Sequence, residues 1–294
     1  MIHGIINVYK EKGFTSHDVV AKLRGIVGQK KIGHTGTLDP DATGVLPVCL
    51  GKATKLCDLL TDKDKTYEAV MLLGKTTDTQ DITGEILEER STESLTEEKV
   101  REAIESFIGD YDQIPPMYSA LKVNGKKLYE LAREGKVIER KARPVKILDI
   151  RILEMDLPRV RMEVACSKGT YIRTLCHDIG CMESLIRTRV SAFQIKDAKT
   201  LAEIEALKQE GMLEKILVPI DEMFPSYPKI TVKDDWKAFA KNGNPLELKM
   251  LKEADGQNEE NQVRLYEESG KFIAIYQWKE KEKKYHIVKM FFNE

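Results

Sequence analysis

The chain has 294 residues, 41% of them apolar and 32% charged, with a net charge of −1. That length asks for one large domain or two, the apolar share argues against wholesale disorder, and no apolar run approaches the ~18–20 residues that span a bilayer. Five cysteines without CxxC spacing argue against a zinc knuckle or a disulfide framework and for free thiols in a reducing cytoplasm, and the N-terminus regains charge too early for a signal peptide.

Charge is uneven along the chain. Residues 61–110 carry 14 acidic against 6 basic side chains, whereas residues 111–200 carry 18 basic against 11 acidic. Such concentration points to an anionic partner for one face, although any single basic run reads first as solvated surface.

Residues 2–9 (IHGIINVY) predict a strand. Thr15-Ser16-His17-Asp18 then caps an amphipathic helix through Val19, Val20, Leu23, Ile26 and Val27. In KIGHTGTLDPDATGVLPVCLGKATK, Lys31 to Lys55, three glycines and Pro40 force a loop around His34, Asp39 and Asp41. Val45 to Leu50 follow as a buried strand. Polar loops on rigid strands commonly carry function, yet Asp before Pro is also an ordinary turn residue, and spacing alone leaves both readings level.

Ala53 to Leu60 read as helical, and Tyr67 to Leu73 as a strand ending at Gly74. DTQDITG reads as a loop, and a helix opens at Thr96 with an acidic first turn that suits its dipole. Pro115-Pro116 interrupts regular structure. Lys122 to Lys146 holds nine Lys/Arg against three Asp/Glu, with an Asn124-Gly125 turn and a short helix (KKLYELARE), and reads as a basic protrusion. Residues 145–165 predict two strands, Ser167 to Leu175 a glycine turn entering a helix, and Thr200 to Leu207 a helix. Beyond a connector at Pro219 to Pro228 lies a smaller unit. It holds the helix DDWKAFAKN, a Gly/Asn/Glu-rich loop around Asp255–Asn261, and three strands near VRLYE, FIAIYQW and YHIVKMFF.

G-H-T-G-T-L-D-P-x-A-T-G-V-L-P-V with K-A-T-K behind it, then K-T-Y-E-A, P-P-x-x-S-A-L-K and K-G-T-Y-I-R-T-L, occur here in that order. This series resembles the bacterial TruB-type tRNA pseudouridine synthase family over essentially the whole chain. The resemblance implies an α+β fold, a mixed and mainly antiparallel sheet with the Asp39 loop in a central cleft. It implies a catalytic unit at residues 1–225 with the basic insertion at about 122–146, and a PUA-like RNA-binding unit at 226–294. It also implies a cytoplasmic isomerase that converts the T-loop uridine of tRNA, conventionally numbered 55, to pseudouridine. The implied enzyme uses no cofactor and no metal, contacts no membrane, needs no obligate protein partner and is a monomer.

The same resemblance assigns site residues. Asp39 matches the essential aspartate, which can attack C6 of the base or C1′ of the sugar, or act as a base at C2′; the sequence leaves these routes open. It must be ionised, so a buried cation beside it is expected, and Arg173 matches that partner, holding the carboxylate by opposite charge and hydrogen bonds. Tyr67 matches the tyrosine that stacks on the target base and is a candidate for later proton abstraction at C5. Taken alone it would read as strand-core filler. Tyr171 and Leu185 match pocket-lining residues, with core packing the stronger reading for Leu185. His34 matches the residue that fills the gap left by the extruded nucleotide, where flipping costs a few kcal/mol. Its surroundings lack the ligands of a metal site. Lys10 and the basic arm correspond to RNA-contacting elements, where affinity is electrostatic.

Three departures stand out. Lys10-Glu11-Lys12-Gly13 replaces Lys-Pro-x-Gly, and Ser191 stands where Gly is common. The family also has several more residues between Ile179-Gly180 and Cys181-Met182-Glu183-Ser184-Leu185. Either a loop is shortened or residues are absent from the numbering; a Cα separation near ~3.8 Å marks a true peptide bond, and absent residues are the expectation. Two other functional readings compete with the enzyme: an RNA-folding factor that opens the tRNA elbow, and an RNA-guided relative acting on ribosomal RNA in a multi-protein complex. Retention of Asp39, Tyr67 and Arg173 favours the enzyme over the first, and the basic insertion counts against the second.

Overall fold

A computed structural model describes residues 1–252 and 262–292. The loop expected around Asp255–Asn261 lies outside the described residues. Nine strands carry the argument about the large sheet: β1 (Gly4–Lys10), β2 (Ile32–His34), β3 (Thr43–Leu50), β4 (Lys65–Leu72), β5 (Gly109–Gln113), β6 (Arg143–Asp156), β7 (Arg159–Cys166), β8 (Cys181–Val190) and β9 (Leu217–Val218). With the short Phe193–Gln194 strand beside β8, they make a ten-stranded sheet among the described residues, in the order β9-β1-β3-β8-β4-β7-β6-β5, with β2 attached to β3. The expected mixed, mainly antiparallel α+β architecture is present. The β3–β8 contact is parallel and only two residue pairs long, Ile186 with Thr43 and Arg187 with Gly44. It is the seam between two otherwise antiparallel halves.

Local sequence explains the elements that frame this seam. Thr15 and Asp18 cap each other's backbone at the start of helix Ser16–Val27, and Gly28, at φ 68°, ends it. Val19, Val20, Leu23 and Val27 pack on Ile6, Val8, Leu46 and Val48, each such burial contributing about 1.5–3 kcal/mol. All of β3 after Thr43 is buried, which is why it reads as an unbroken apolar run rather than an alternation. Ile32 to His34, expected to be loop, instead form β2, because the segment folds back along β3 and pairs with Leu50, Cys49 and Val48. Gly44 permits the seam. Its φ is 105°, and a Cβ there would lie 2.2 Å from the carbonyl oxygen of Arg187, a separation no side chain can occupy.

The Gly180 N–H donates to the Cys176 carbonyl, ending helix Ile172–His177, and Cys181 immediately pairs with Leu72 as the first residue of β8. Ser191 adopts φ 53°, the left-handed conformation that makes glycine common there and that a serine occupies at a cost of order 1–3 kcal/mol.

A four-stranded sheet follows, β10 (Lys229–Thr231), β11 (Gln262–Tyr266), β12 (Phe272–Lys279) and β13 (Lys284–Met290), with its own apolar core. Ile275 and Phe291 extend from it into a cluster with Ile5, Val45 and Phe224, so apolar contacts tie the two sheets together. The expected helix DDWKAFAKN is realised as a 3-10 turn, Asp234–Trp236, leading into a short helix, Lys237–Lys241. Among the described residues no helix is long and apolar enough to cross a membrane.

Candidate active site

The loop from Thr35 to Ala42 connects β2 to β3 and therefore opens at the seam. Its inner side is bonded by groups that local sequence rules would place on the surface. The Leu38 N–H donates to Ser16 Oγ at 2.9 Å, and the Gly13 N–H to the Pro40 carbonyl at 3.0 Å. The Lys10 ammonium, fully buried, donates to the carbonyls of Ala42 (2.6 Å), Pro40 (3.0 Å) and Glu11 (3.1 Å). Lys10, expected to face RNA, is thus turned inward and holds the loop from below.

Burial holds the Lys10 ammonium well under its ordinary range, at about 8, with Asp39 and Asp41 opposing the shift. Below about pH 8 the lysine is charged both folded and unfolded, and its burial cost is fully present. Between about 8 and 10.5 the unfolded chain binds more protons than the folded one, so stability contributed at this position rises with pH. Lys10→Met leaves three carbonyls without their donor and is expected to destabilise by about 1–3 kcal/mol. Urea unfolding on either side of that window should show the gap between wild type and variant widening at high pH; a constant gap would contradict the assignment.

On its outer side the loop presents Asp39. The Arg173 Nε donates to Oδ2 at 2.9 Å and Nη2 reaches Oδ1 at 3.4 Å, a side-on pair. The guanidinium side chain is 6% exposed and the carboxylate 44% exposed, so the cation is buried, as expected, while the acid stands half in solvent. The same guanidinium donates to the Tyr118 carbonyl (2.7 Å) and the Thr79 carbonyl (3.2 Å), joining the Pro-Pro segment and the DTQDITG loop after β4 to Asp39. The turn reading of Asp39 is half met: its carbonyl accepts from the Ala42 N–H, but its carboxylate goes to Arg173 and not to a local backbone N–H.

Tyr67, on β4, is buried in one apolar cluster with Leu38, Ala42, Ile172 and Leu185. Burial raises its phenol pKa, opposed by the charge and hydrogen bond of Arg187, while Asp39 adds to the rise. Tyr171 precedes the Ile172–His177 helix and exchanges two hydrogen bonds with Gln113, from its own N–H to Oε1 (2.7 Å) and from Nε2 to its carbonyl (3.0 Å). Burial raises its phenol pKa too, against Ser119 and Arg173. Asp39, Tyr67, Tyr171 and Arg173 therefore share one electrostatic neighbourhood, and Leu185 packs beneath it. His34 lies apart, at the end of β2, edge-on to His17 with ring centroids 5.3 Å apart; burial and then His17 lower its pKa. Among the described residues no cluster of three or more His, Cys, Asp or Glu side chains is arranged to hold a metal ion.

Two features frame the cleft. The basic arm forms a tight hairpin, Lys122–Val123 with Lys126–Lys127, turning at Asn124 (φ 50°) and Gly125 (φ 83°), followed by helix Leu128–Arg133. Arg187 lies below the cleft and was not marked by sequence reasoning. The available signal was its place two residues after Leu185 on one face of a strand, which puts a charge on the buried side.

A mixed, mainly antiparallel sheet of this kind is the fold of the pseudouridine synthases. Two solved structures match it: an H/ACA RNP bound to a substrate RNA containing 2′-deoxyuridine (TM-score 0.71, 26% identity, 99% of this chain and 86% of that one) and a Cbf5-Nop10-Gar1 complex (TM-score 0.71, 28% identity, 99% and 85%). The model of the TruB family pseudouridylate synthase N-terminal domain matches residues 24–172. The tRNA pseudouridine synthase B of Lachnoclostridium phytofermentans is 56% identical, covering 99% of this chain and 100% of its own, and that of Bacillus pumilus is 44% identical, covering 94% and 93%. The chain belongs to the TruB family of pseudouridylate synthases.

Proposed function

We propose that this chain isomerises the T-loop uridine of tRNA, at the position conventionally numbered 55, with Asp39, Tyr67 and Arg173 carrying the chemistry. The observation behind this reading is the half-exposed Asp39 carboxylate, fixed at 2.9 Å by a buried guanidinium beside a buried phenol. The N1–C1′ bond breaks, a C5–C1′ bond forms, C5 loses a proton and N1 gains one. Atoms balance without any other reactant, so the reaction is an isomerisation that consumes no co-substrate.

Arg173 aims the carboxylate, Asp39 attacks or deprotonates the nucleoside, and Tyr67 stacks on the base and takes the C5 proton. Tyr171 and Leu185 line the pocket, and His34 fills the space left by the flipped nucleotide. The basic arm holds phosphates, so binding weakens with salt. Residues 1–225 form the catalytic unit and 226–294 a PUA-like RNA-binding unit, in a monomeric cytoplasmic protein. Opening the T-loop to flip its uridine gives the same protein a tRNA-folding activity. Higher identity to relatives named for tRNA than to the chains of the RNA–protein complexes favours a stand-alone enzyme over an RNA-guided one.

The test is carbodiimide labelling and primer extension on an unmodified T-stem-loop and on an anticodon stem-loop of the same tRNA. Conversion confined to the T-loop uridine is expected. Equal conversion of both would overturn the specificity, and conversion of neither would overturn the activity.

A further inference from the structure

We propose that Arg187 is a positioning residue that acts through Tyr67, its buried guanidinium serving as the charge partner of the Tyr67 phenolic oxygen while stapling the Asp39 loop to the seam. The inference rests on the reading of Tyr67 as the group that takes the C5 proton.

Arg187 is the largest fully buried side chain among the described residues, at 1% exposure. A guanidinium cannot shed its charge in a protein, so enclosing it demands donors satisfied on every side and an anionic or polarisable neighbour. Its donors go to carbonyls: Nε to Val45 at 2.7 Å, Nη1 to Thr37 and Nη2 to Gly36 at 3.4 Å each. All three belong to the segment that carries Asp39. Tyr67 is the direct cross-strand partner of Arg187 on β4, and its phenol is the ionisable group whose negative charge favours the guanidinium, whereas Lys10, Lys65 and His34 are the other titratable groups near Arg187. The other ionisable groups facing Tyr67 are Cys166 from β7 and Asp39 from the loop, both of which disfavour a phenolate. Arg187 is the group that favours one.

This arrangement has a use in the last step of the reaction. The phenol passes its proton through a water to N1 as its oxygen takes the C5 proton. The C5–H electron pair becomes the C5=C6 bond, and the displaced C6=N1 pair moves onto N1, where it holds the arriving proton. The phenol is regenerated, and negative charge develops on its oxygen only during the transfer, facing the buried cation.

The test uses the whole protein and Arg187→Met, with Arg187→Lys as the variant that keeps the charge. Phenolate absorbance is titrated with the Tyr67→Phe protein as blank, beside the pH dependence of single-turnover conversion. Arg187→Met is expected to move the Tyr67 titration up by about one pH unit or more, to move the basic limb of the rate profile the same way, and to lower kcat more than it raises KM. Arg187→Lys should recover most of both shifts. A titration that does not move, with conversion lowered equally at every pH, leaves Arg187 a loop staple and overturns the proposal. A titration that moves while the rate limb stays overturns it through Tyr67, whose role as the C5 base is then wrong. Should Arg187→Met fail to fold, the wild-type protein still decides. Its Arg187 guanidinium nitrogen resonances should shift with the Tyr67 midpoint, and flat resonances across that range reject the pairing.

Discussion

Asp39→Asn is expected to abolish pseudouridine formation on a T-stem-loop, by at least about four orders of magnitude, the upper end of what one positioned proton-transfer group supplies. The substitution is nearly isosteric, so Arg173 keeps an oxygen to bond at about the wild-type position, but the amide can neither attack nor accept a proton. Because the wild-type carboxylate is 44% exposed and its side-chain bonds go to Arg173, thermal stability should change little. RNA affinity should stay within a few-fold or improve, since a negative charge facing a polyanion has been removed. Single-turnover conversion, melting temperature and a filter-binding titration on the same preparation check all three. Persistent conversion above a hundredth of the wild-type rate would remove Asp39 from the chemistry.

Arg173→Met should be nearly as damaging to turnover and far more damaging to structure. The guanidinium bonds Asp39, Tyr118 and Thr79, which come from three separate stretches of chain. Methionine leaves two carbonyls without a donor, at about 1–3 kcal/mol each, and releases Asp39 from its aim. Misplacement near 1 Å costs roughly 10²-fold in rate, and loss of the charge adds to it, so a fall of about 10³-fold in kcat/KM is expected. Arg173→Lys restores the charge but not the fork and should recover stability better than activity. The two variants measured by urea unfolding and by single-turnover conversion separate the architectural part from the electrostatic part. Equal recovery of both by lysine would show that the fork has no role of its own.

What could be read from the residues alone follows the range of the forces involved. Thr15 and Asp18 announce a helix start, Asn124-Gly125 a tight turn, and the β-branched and aromatic runs after Gln262 short strands, because each is decided by neighbours within a few positions. Asp39 and Arg173 were legible through their motifs, not through burial or spacing. Lys10 and Arg187 were not legible in their actual roles. Composition assigns Lys and Arg to the surface. What makes these two exceptions is a set of loop carbonyls reached across the fold, 32 residues from Lys10 and about 150 from Arg187. Ile32 to His34 were misread for a related reason, since glycine density signals a turn and says nothing of a partner strand already waiting at Val48 to Leu50.

The two-rung seam between β3 and β8 also sets when the site can exist. Asp39 precedes Arg173 by 134 residues, and Val45 precedes Arg187 by 142. At synthesis rates of about 5–20 residues per second, a nascent chain carries the aspartate for roughly 7–27 seconds before its arginine has been made. The β3 half can collapse on the Ser16–Val27 helix during that interval, but nothing in it can hold the carboxylate in place. A ribosome-bound fragment that stops short of Arg173 therefore lacks the partner of Asp39, one that stops short of β8 lacks the seam, and the site is complete only once both halves of the sheet have been translated and closed on each other.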